Sequence, residues 1–324
     1  MPLIARSERP LRPCLALSTV LILSLSACGD EELAEGRDLG TPVENTPAAD
    51  SGAASGGDDA SLNGDGGEAS LDGGVNTDPP PEAGLDTLYM GHSFGRPFAE
   101  QLTDFADRAG IPDHHQQIVF GGGSSGSPRA LWDHPARSAE IKRRLESGQD
   151  VLVMICCSEG FVDGAGDPAI RLWIDYALSR NPNTRIVLAL PWLDFPERYP
   201  SAAAYEATWE QLRTLWHAEI ETLRAEYPGV DITSLPHGRA SIDLRIRFEA
   251  GTLPDVEVMT GRGEGSLFTD EKGHAGQTLR DLGTLVWLGA LYPGADLASA
   301  LATSYQTDLV SMAQAILIED PFVR

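Results

Sequence analysis

Cysteine is scarce in these 324 residues: four occur, Cys14, Cys28, Cys156 and Cys157. Cys156 and Cys157 are neighbours, so they close no loop, and no spacing in the chain resembles a zinc site. Two buried thiols at a strand end are expected there, with a vicinal disulfide as the alternative. Positive charge is scarce too. Lys and Arg number 24 against 48 Asp and Glu, a net charge of -24, which argues against a nucleic-acid partner, because phosphate binding calls for a basic surface. Long apolar runs are missing. The apolar stretch from Leu15 to Leu25 is about half the roughly 20 residues that span a bilayer. No internal repeat is visible.

What the chain does contain falls into three parts. Residues 1–28 read as an export signal: Arg6, Arg9 and Arg12 supply a basic start, Leu15 to Leu25 an apolar core, and Leu25-Ser26-Ala27-Cys28 a small-residue close. That close resembles the lipobox of bacterial lipoproteins. The resemblance implies a lipidated Cys28 as first mature residue, through which the protein attaches to the membrane. Gly29 follows it with no adjacent Asp, which by resemblance to Gram-negative sorting favours the outer membrane. Residues 29–84 hold fourteen acidic residues, one basic residue (Arg37) and no Trp, Tyr or Phe. Such a segment buries too little surface to offset the entropy of ordering it, so a disordered acidic tether is expected.

Residues 85–324 are the remaining unit, a size that suits one α/β domain with a substantial core. Strands are predicted at 85–90, 116–120, 150–156 and 184–190, with a fifth near 230–235. The third and fourth are unbroken apolar runs, the signature of parallel strands covered on both faces. Helices are predicted at 97–109, 136–147, 168–180, 202–227, 277–291 and 296–318, punctuated by Pro182, Pro191, Pro200, Pro228 and Pro293. Alternation of this kind implies an α/β/α sandwich around a doubly wound parallel sheet. Glycines and Pro254 between 236 and 268 suggest a long loop instead of regular structure. The stripe of Tyr205, Trp209, Leu212, Leu215, Trp216, Ile220 and Leu223 reads as core.

In a parallel sheet the loops after the strands gather at one edge, where ligands bind. Four such loops carry Gly91-His92-Ser93, Gly121-Gly122-Gly123-Ser124-Ser125-Gly126-Ser127, Cys157-Ser158-Glu159-Gly160 and Pro191-Trp192-Leu193-Asp194. A fifth stretch, Thr269 to Gly276, precedes a helix and contains Asp270, Glu271 and His274. Ser93 has two readings on its own: a helix cap, or a nucleophile facing helix-start amides. Chemistry favours the second if His274 reaches it, because a serine hydroxyl becomes nucleophilic when an imidazole takes its proton.

These blocks, in this order, resemble the SGNH (GDSL-like) hydrolases, α/β/α esterases and lipases, over most of 85–291. The resemblance implies Ser93 as nucleophile, His274 as base and the backbone N–H groups of Ser93 and Gly126 as oxyanion donors. Three departures stand out. His92 replaces the family's Asp. Glu159 falls where the family has an Asn whose side chain donates to the oxyanion, and a carboxylate donates nothing. The family acid lies three residues before the histidine, at Glu271, whereas Asp270 lies four before. Asp270 is the expected triad acid here, because Glu271-Lys272 reads as an exposed charged pair.

Glu159, Trp192 and Asp194 are the candidate substrate-binding residues, Trp192 and Asp194 as walls of a sugar pocket, with Trp132 a similar candidate. Packing is the more common role of such large apolar residues and is the competing reading for both tryptophans. His92, His114 and His115 lack a carboxylate-rich helix to join them in a metal site, so surface histidines are expected. No metal or cofactor is called for. The function implied is hydrolysis of a small acyl ester or an acylated polysaccharide by a tethered serine esterase. The alternatives are a glycan-binding module without catalysis and an O-acyltransferase. Oligomeric state is left open, although the apolar side of 296–318 suits packing on the domain or a dimer contact.

Overall fold

The computed structural model describes residues 83–155 and 166–323. The signal, Cys28, nearly all of the tether, Cys156, Cys157 and Glu159 lie outside the described residues.

Five parallel strands, β1 (Asp86–Gly91), β2 (His115–Phe120), β3 (Val151–Ile155), β4 (Arg185–Ala189) and β5 (Ile232–Leu235), form one sheet in the order β2-β1-β3-β4-β5. The chain starts in the middle, moves to one edge and returns to build the other, which defines a doubly wound sheet. Every residue of β3 and β4 is buried, as their unbroken apolar runs require. β2 buries only Val119, as befits an edge strand. At the opposite edge the C-terminal tail reaches β5, where the Ser234 N–H donates to the Phe322 carbonyl at 2.9 Å.

Helix α1 (Arg96–Arg108) joins β1 to β2. It packs on α7 (Gln277–Leu291), and α7 packs on α6 (Gly238–Glu249) and α9 (Leu309–Glu319). A second group consists of α2 (Pro128–Asp133), α3 (Pro135–Leu145) and α4 (Ala169–Arg180), which pack on one another. Right-handed crossovers place helices on opposite faces when the chain reverses direction along the sheet; α1 and the α3–α4 group are separated in this way. α5 (Ala202–Glu226) leads into β5 and buries Tyr205, Trp209, Trp216, Ile220 and Leu223, the stripe read from the sequence.

Two expectations fail. The supposed loop at 236–268 contains α6 and two short paired strands, β6 (Val258–Thr260) and β7 (Ser266–Phe268). The supposed helix at 296–318 is two helices, α8 (Leu297–Ala300) and α9, with a non-helical stretch between. Aspartates make the break. Asp296 and Asp308 cap the two helices, and Asp255 accepts from the N–H groups of Gln306 and Thr307, both at 2.8 Å. Carboxylates that bind backbone N–H groups compete with helix continuation. Two of the three expected surface histidines are the third correction: His92 is 8% exposed, and His114 is 2% exposed with its Nδ1 2.7 Å from the Tyr292 hydroxyl. Neighbouring strand residues point opposite ways, and His115, next to His114, is exposed. Among the described residues no helix is long and apolar enough to cross a membrane.

Candidate active site

Ser93 stands just past the end of β1. It does not cap α1: the cap position is Gly95, no side chain bonds the first turn, and Pro97 opens the helix. The turn is held from within. The His92 carbonyl accepts from the N–H groups of Gly95 and Arg96 and from the Tyr89 hydroxyl, the last at 2.6 Å. Burial pushes the Tyr89 phenol well above its ordinary value, so it remains a donor. The Ser93 side chain, freed from capping, meets His274: Nε2 lies 2.8 Å from Oγ, across 181 positions of sequence.

His274 comes from the stretch between β7 and α7. The opposite ring nitrogen, Nδ1, lies 2.6 Å from Asp270 Oδ2. The other carboxylate oxygen, Oδ1, accepts from the backbone N–H groups of Gly273 and His274 at 3.0 and 3.2 Å. Burial raises the Asp270 carboxyl, but the bonds from the His274 ring and these amides outweigh it and hold the group below the usual carboxylate range. Asp270 is therefore ionised and oriented at neutral pH. That geometry fixes the proton of neutral His274 on Nδ1 and turns the lone pair of Nε2 towards the serine.

The turn depends on Gly273. Its φ of +99° is a conformation that side-chain-bearing residues rarely adopt, and a Cβ there would meet Pro196. The loop after β4 locks this turn in place. The Trp192 indole N–H donates to the Gly273 carbonyl at 2.9 Å, and the Phe195 N–H donates to the Lys272 carbonyl at 2.9 Å. Trp192 also stacks on Phe94 (centroids 4.5 Å apart, planes 10° apart), and Phe94 meets the His274 ring edge-on. Trp192 is 2% exposed. It is not the wall of a sugar pocket; it lies beneath the site and joins the nucleophile turn to the base turn.

Asp194 is half-buried, 3.7 Å from Lys272 Nζ. The Glu271-Lys272 pair is accordingly not a free surface pair: Glu271 is exposed, but Lys272 leans towards Asp194. Trp132 packs edge-on against Trp173, with Lys142 Nζ 3.9 Å above its ring.

Gly126 ends a 3-10 turn, Gly123–Gly126, in the loop after β2. It is buried against the end of β1: a Cβ on it would come within 2.6 Å of the Gly91 carbonyl oxygen and 2.5 Å of that of Gly121. Only glycine lets this backbone approach the nucleophile turn so closely. The next residue, Ser127, caps α2 by accepting from the Ala130 N–H.

One residue beside the site went unnoticed in the sequence. His237, fully buried before α6, places Nε2 3.0 Å from the Phe94 carbonyl and Nδ1 3.3 Å from that of Leu235. Burial pushes its pKa down to about 3, against the opposing pull of these two carbonyls. The neutral ring has one N–H, and the shorter contact assigns it to Nε2, donating to the residue after the nucleophile. Its signal in the sequence, Leu235-Pro236-His237-Gly238 after a strand, was weak. Among the described residues no cluster of His, Cys, Asp and Glu suits a metal ion.

No family profile matches the chain, and neither does any curated protein. Solved structures with similar folds include a DUF4886 family protein from Bacteroides uniformis, 16% identical at a TM-score of 0.45, covering 72% of this chain and 92% of that one. A candidate SGNH hydrolase from Slackia heliotrinireducens is 12% identical at a TM-score of 0.38, covering 63% and 97%. The periplasmic domain of a lipopolysaccharide acetyltransferase from Salmonella ser. Paratyphi A is 15% identical at a TM-score of 0.33, covering 50% and 69%. These are remote likenesses. The site rests on this chain's own residues: a doubly wound sheet, a serine after β1, a buried glycine after β2, and a histidine before α7 that reaches the serine.

Proposed function

We propose that the domain is a serine esterase working through an acyl-enzyme. The reading is carried by the 2.8 Å contact between His274 Nε2 and Ser93 Oγ, with Asp270 behind the imidazole. Ser93 Oγ attacks the ester carbonyl while His274 Nε2 takes its proton; the resulting imidazolium is stabilised by Asp270. The tetrahedral oxyanion is received by the backbone N–H groups of Ser93 and Gly126. As the intermediate collapses, the C–O bond to the alcohol breaks and His274 protonates the leaving oxygen. Water then repeats the sequence on the acyl-enzyme, giving the free acid and restoring Ser93. The site residues proposed for this chain supply every proton transfer.

The substrate proposed is a short acyl ester, such as an O-acetyl group on a polysaccharide, and lipidated Cys28 is proposed to tether the domain outside the cytoplasm through residues 29–84. Turnover of 4-nitrophenyl acetate by the wild type, abolished in Ser93→Ala, together with fluorophosphonate labelling mapped to Ser93, tests the chemistry. Equal rates for the two proteins refute it. Product analysis with an added acceptor sugar separates hydrolysis from acyl transfer. Loss of membrane association in Cys28→Ser tests the anchor.

A further inference from the structure

Of the 24 basic side chains of Lys and Arg type, only two are lysines, Lys142 and Lys272. Lys142 is packed over the rings of Trp132, Trp173 and Tyr176. Lys272 stands in the base turn itself, two residues from Asp270 and two from His274, with its side chain 37% exposed. Its backbone is pinned, since the Lys272 carbonyl accepts from Phe195. Its ammonium spans two other loops of the site. Nζ lies 3.7 Å from Asp194, after β4, and 3.5 Å from where a side chain on Gly123 would begin, at the head of the turn that ends in Gly126.

We propose that Lys272 is a specificity-determining residue that selects esters bearing a carboxylate near the scissile carbonyl, on either the acyl or the alcohol side. This inference rests on the esterase reading and names the substrate class for the same site. The Asp194–Lys272 contact is longer than a well-formed hydrogen bond, and both side chains are more than a third exposed. Such a pair is held weakly, so a substrate carboxylate takes the place of Asp194 at little loss. The neighbouring acid, Asp270, is committed to His274 and two amides and does not compete. Residues 85–324 carry a net charge of -13, which disfavours an anion overall, so an ammonium over the glycine turn is a local feature able to set where one binds.

The experiment compares kcat/KM for three esters: neutral 4-nitrophenyl acetate, 4-nitrophenyl hemiadipate with its charge on the acyl side, and 4-acetoxybenzoate with its charge on the alcohol side. Ser93→Ala supplies the background for each. Lys272→Met is expected to lower the anionic-to-neutral ratio for one of the two charged esters by roughly fivefold, the factor that about 1 kcal/mol gives. Lys272→Arg retains most of that ratio, and Asp194→Asn raises it by freeing the ammonium. The responding ester identifies which side the carboxylate occupies. Ratios that stay the same in Lys272→Met for both charged esters overturn the inference while leaving the esterase reading intact. A wild type that turns over none of the three overturns the esterase reading and this inference with it.

Discussion

Replacing Asp270 by Asn tests the order of the site at its outermost member. Both carboxylate oxygens are in use: Oδ2 faces His274 Nδ1 at 2.6 Å, and Oδ1 takes two backbone N–H groups at 3.0 and 3.2 Å. A carboxamide has one oxygen and one NH2, so neither orientation satisfies all three contacts. With its oxygen on the two amides, its NH2 faces Nδ1, which must then be the lone-pair nitrogen. The ring proton moves to Nε2, and the base presents an N–H to Ser93 where it needs a lone pair. With its oxygen on Nδ1, its NH2 faces two N–H donors, and the turn held by Gly273 is destabilised. The first orientation preserves the turn and is expected. Losing the correct tautomer in a Ser-His-Asp system costs about 10⁴-fold in kcat. Steady-state turnover of 4-nitrophenyl acetate with burst titration of active sites reads this directly. Glu271→Gln, at an exposed position outside these contacts, serves as the comparison and stays within about twofold, as surface changes do. If Asp270→Asn retains activity within tenfold while Glu271→Gln loses it, Asp270 is not the orienting acid and the assignment fails.

Acid should weaken the fold through its buried histidines. Burial pushes His237 down to about 3 and His114 down to about 4, from 6.5 in the unfolded chain. The unfolded chain therefore binds more protons in that window, and stability falls as pH drops below 6.5, by about 2 kcal/mol for each histidine at pH 5. Urea unfolding at pH 7 and pH 5 should show this loss, and His237→Gln should remove about half of it; an unchanged pH dependence in that variant counts against the assignment. Gly126→Ala forces a Cβ within 2.6 Å of the Gly91 carbonyl, and overpacking of this kind costs about 1–3 kcal/mol, so both the urea midpoint and kcat should fall. Trp192→Phe keeps the stack on Phe94 but removes the donor to Gly273. A buried acceptor left unpaired costs about 1–3 kcal/mol, and because the freed turn carries His274, kcat should fall by about tenfold or more, which stopped-flow acylation would resolve.

The parts visible in the sequence were those whose signal is local. β3 and β4 announce burial by containing nothing polar between Val151 and Ile155 or between Ile186 and Ala189. α5 repeats its aromatics at helical spacing. α6 stayed hidden because its buried face includes Ser241 and Arg245, which dilute the apolar stripe. Both are satisfied by distant partners: Arg245 donates to the carbonyls of Pro196 and Tyr199, and Ser241 lies 3.3 Å from the Tyr205 hydroxyl. The break between α8 and α9 turned on aspartates at 255, 296 and 308, of which Asp255 comes from a remote loop. Apolar spacing alone carried the reading straight across it.

The same distinction runs through the site. Ser93 and His274 were legible because each sits in a short block at a predicted strand or helix boundary. Trp192 was legible as a residue at the right edge but not in its orientation, which depends on a carbonyl 81 positions away. That orientation changes its role from contacting a ligand to holding the chain. Phe94, Trp192 and His237 form one aromatic group, with Trp192 and His237 edge-on at 5.9 Å. Its polar atoms go to the carbonyls of Phe94 and Gly273, so two loops from opposite ends of the domain are fixed to a common base. A serine and a histidine 181 residues apart stay within hydrogen-bond reach because the residues next to them are anchored to one buried cluster. The motif blocks supply the reacting atoms, and the geometry between them comes from residues that no block contains.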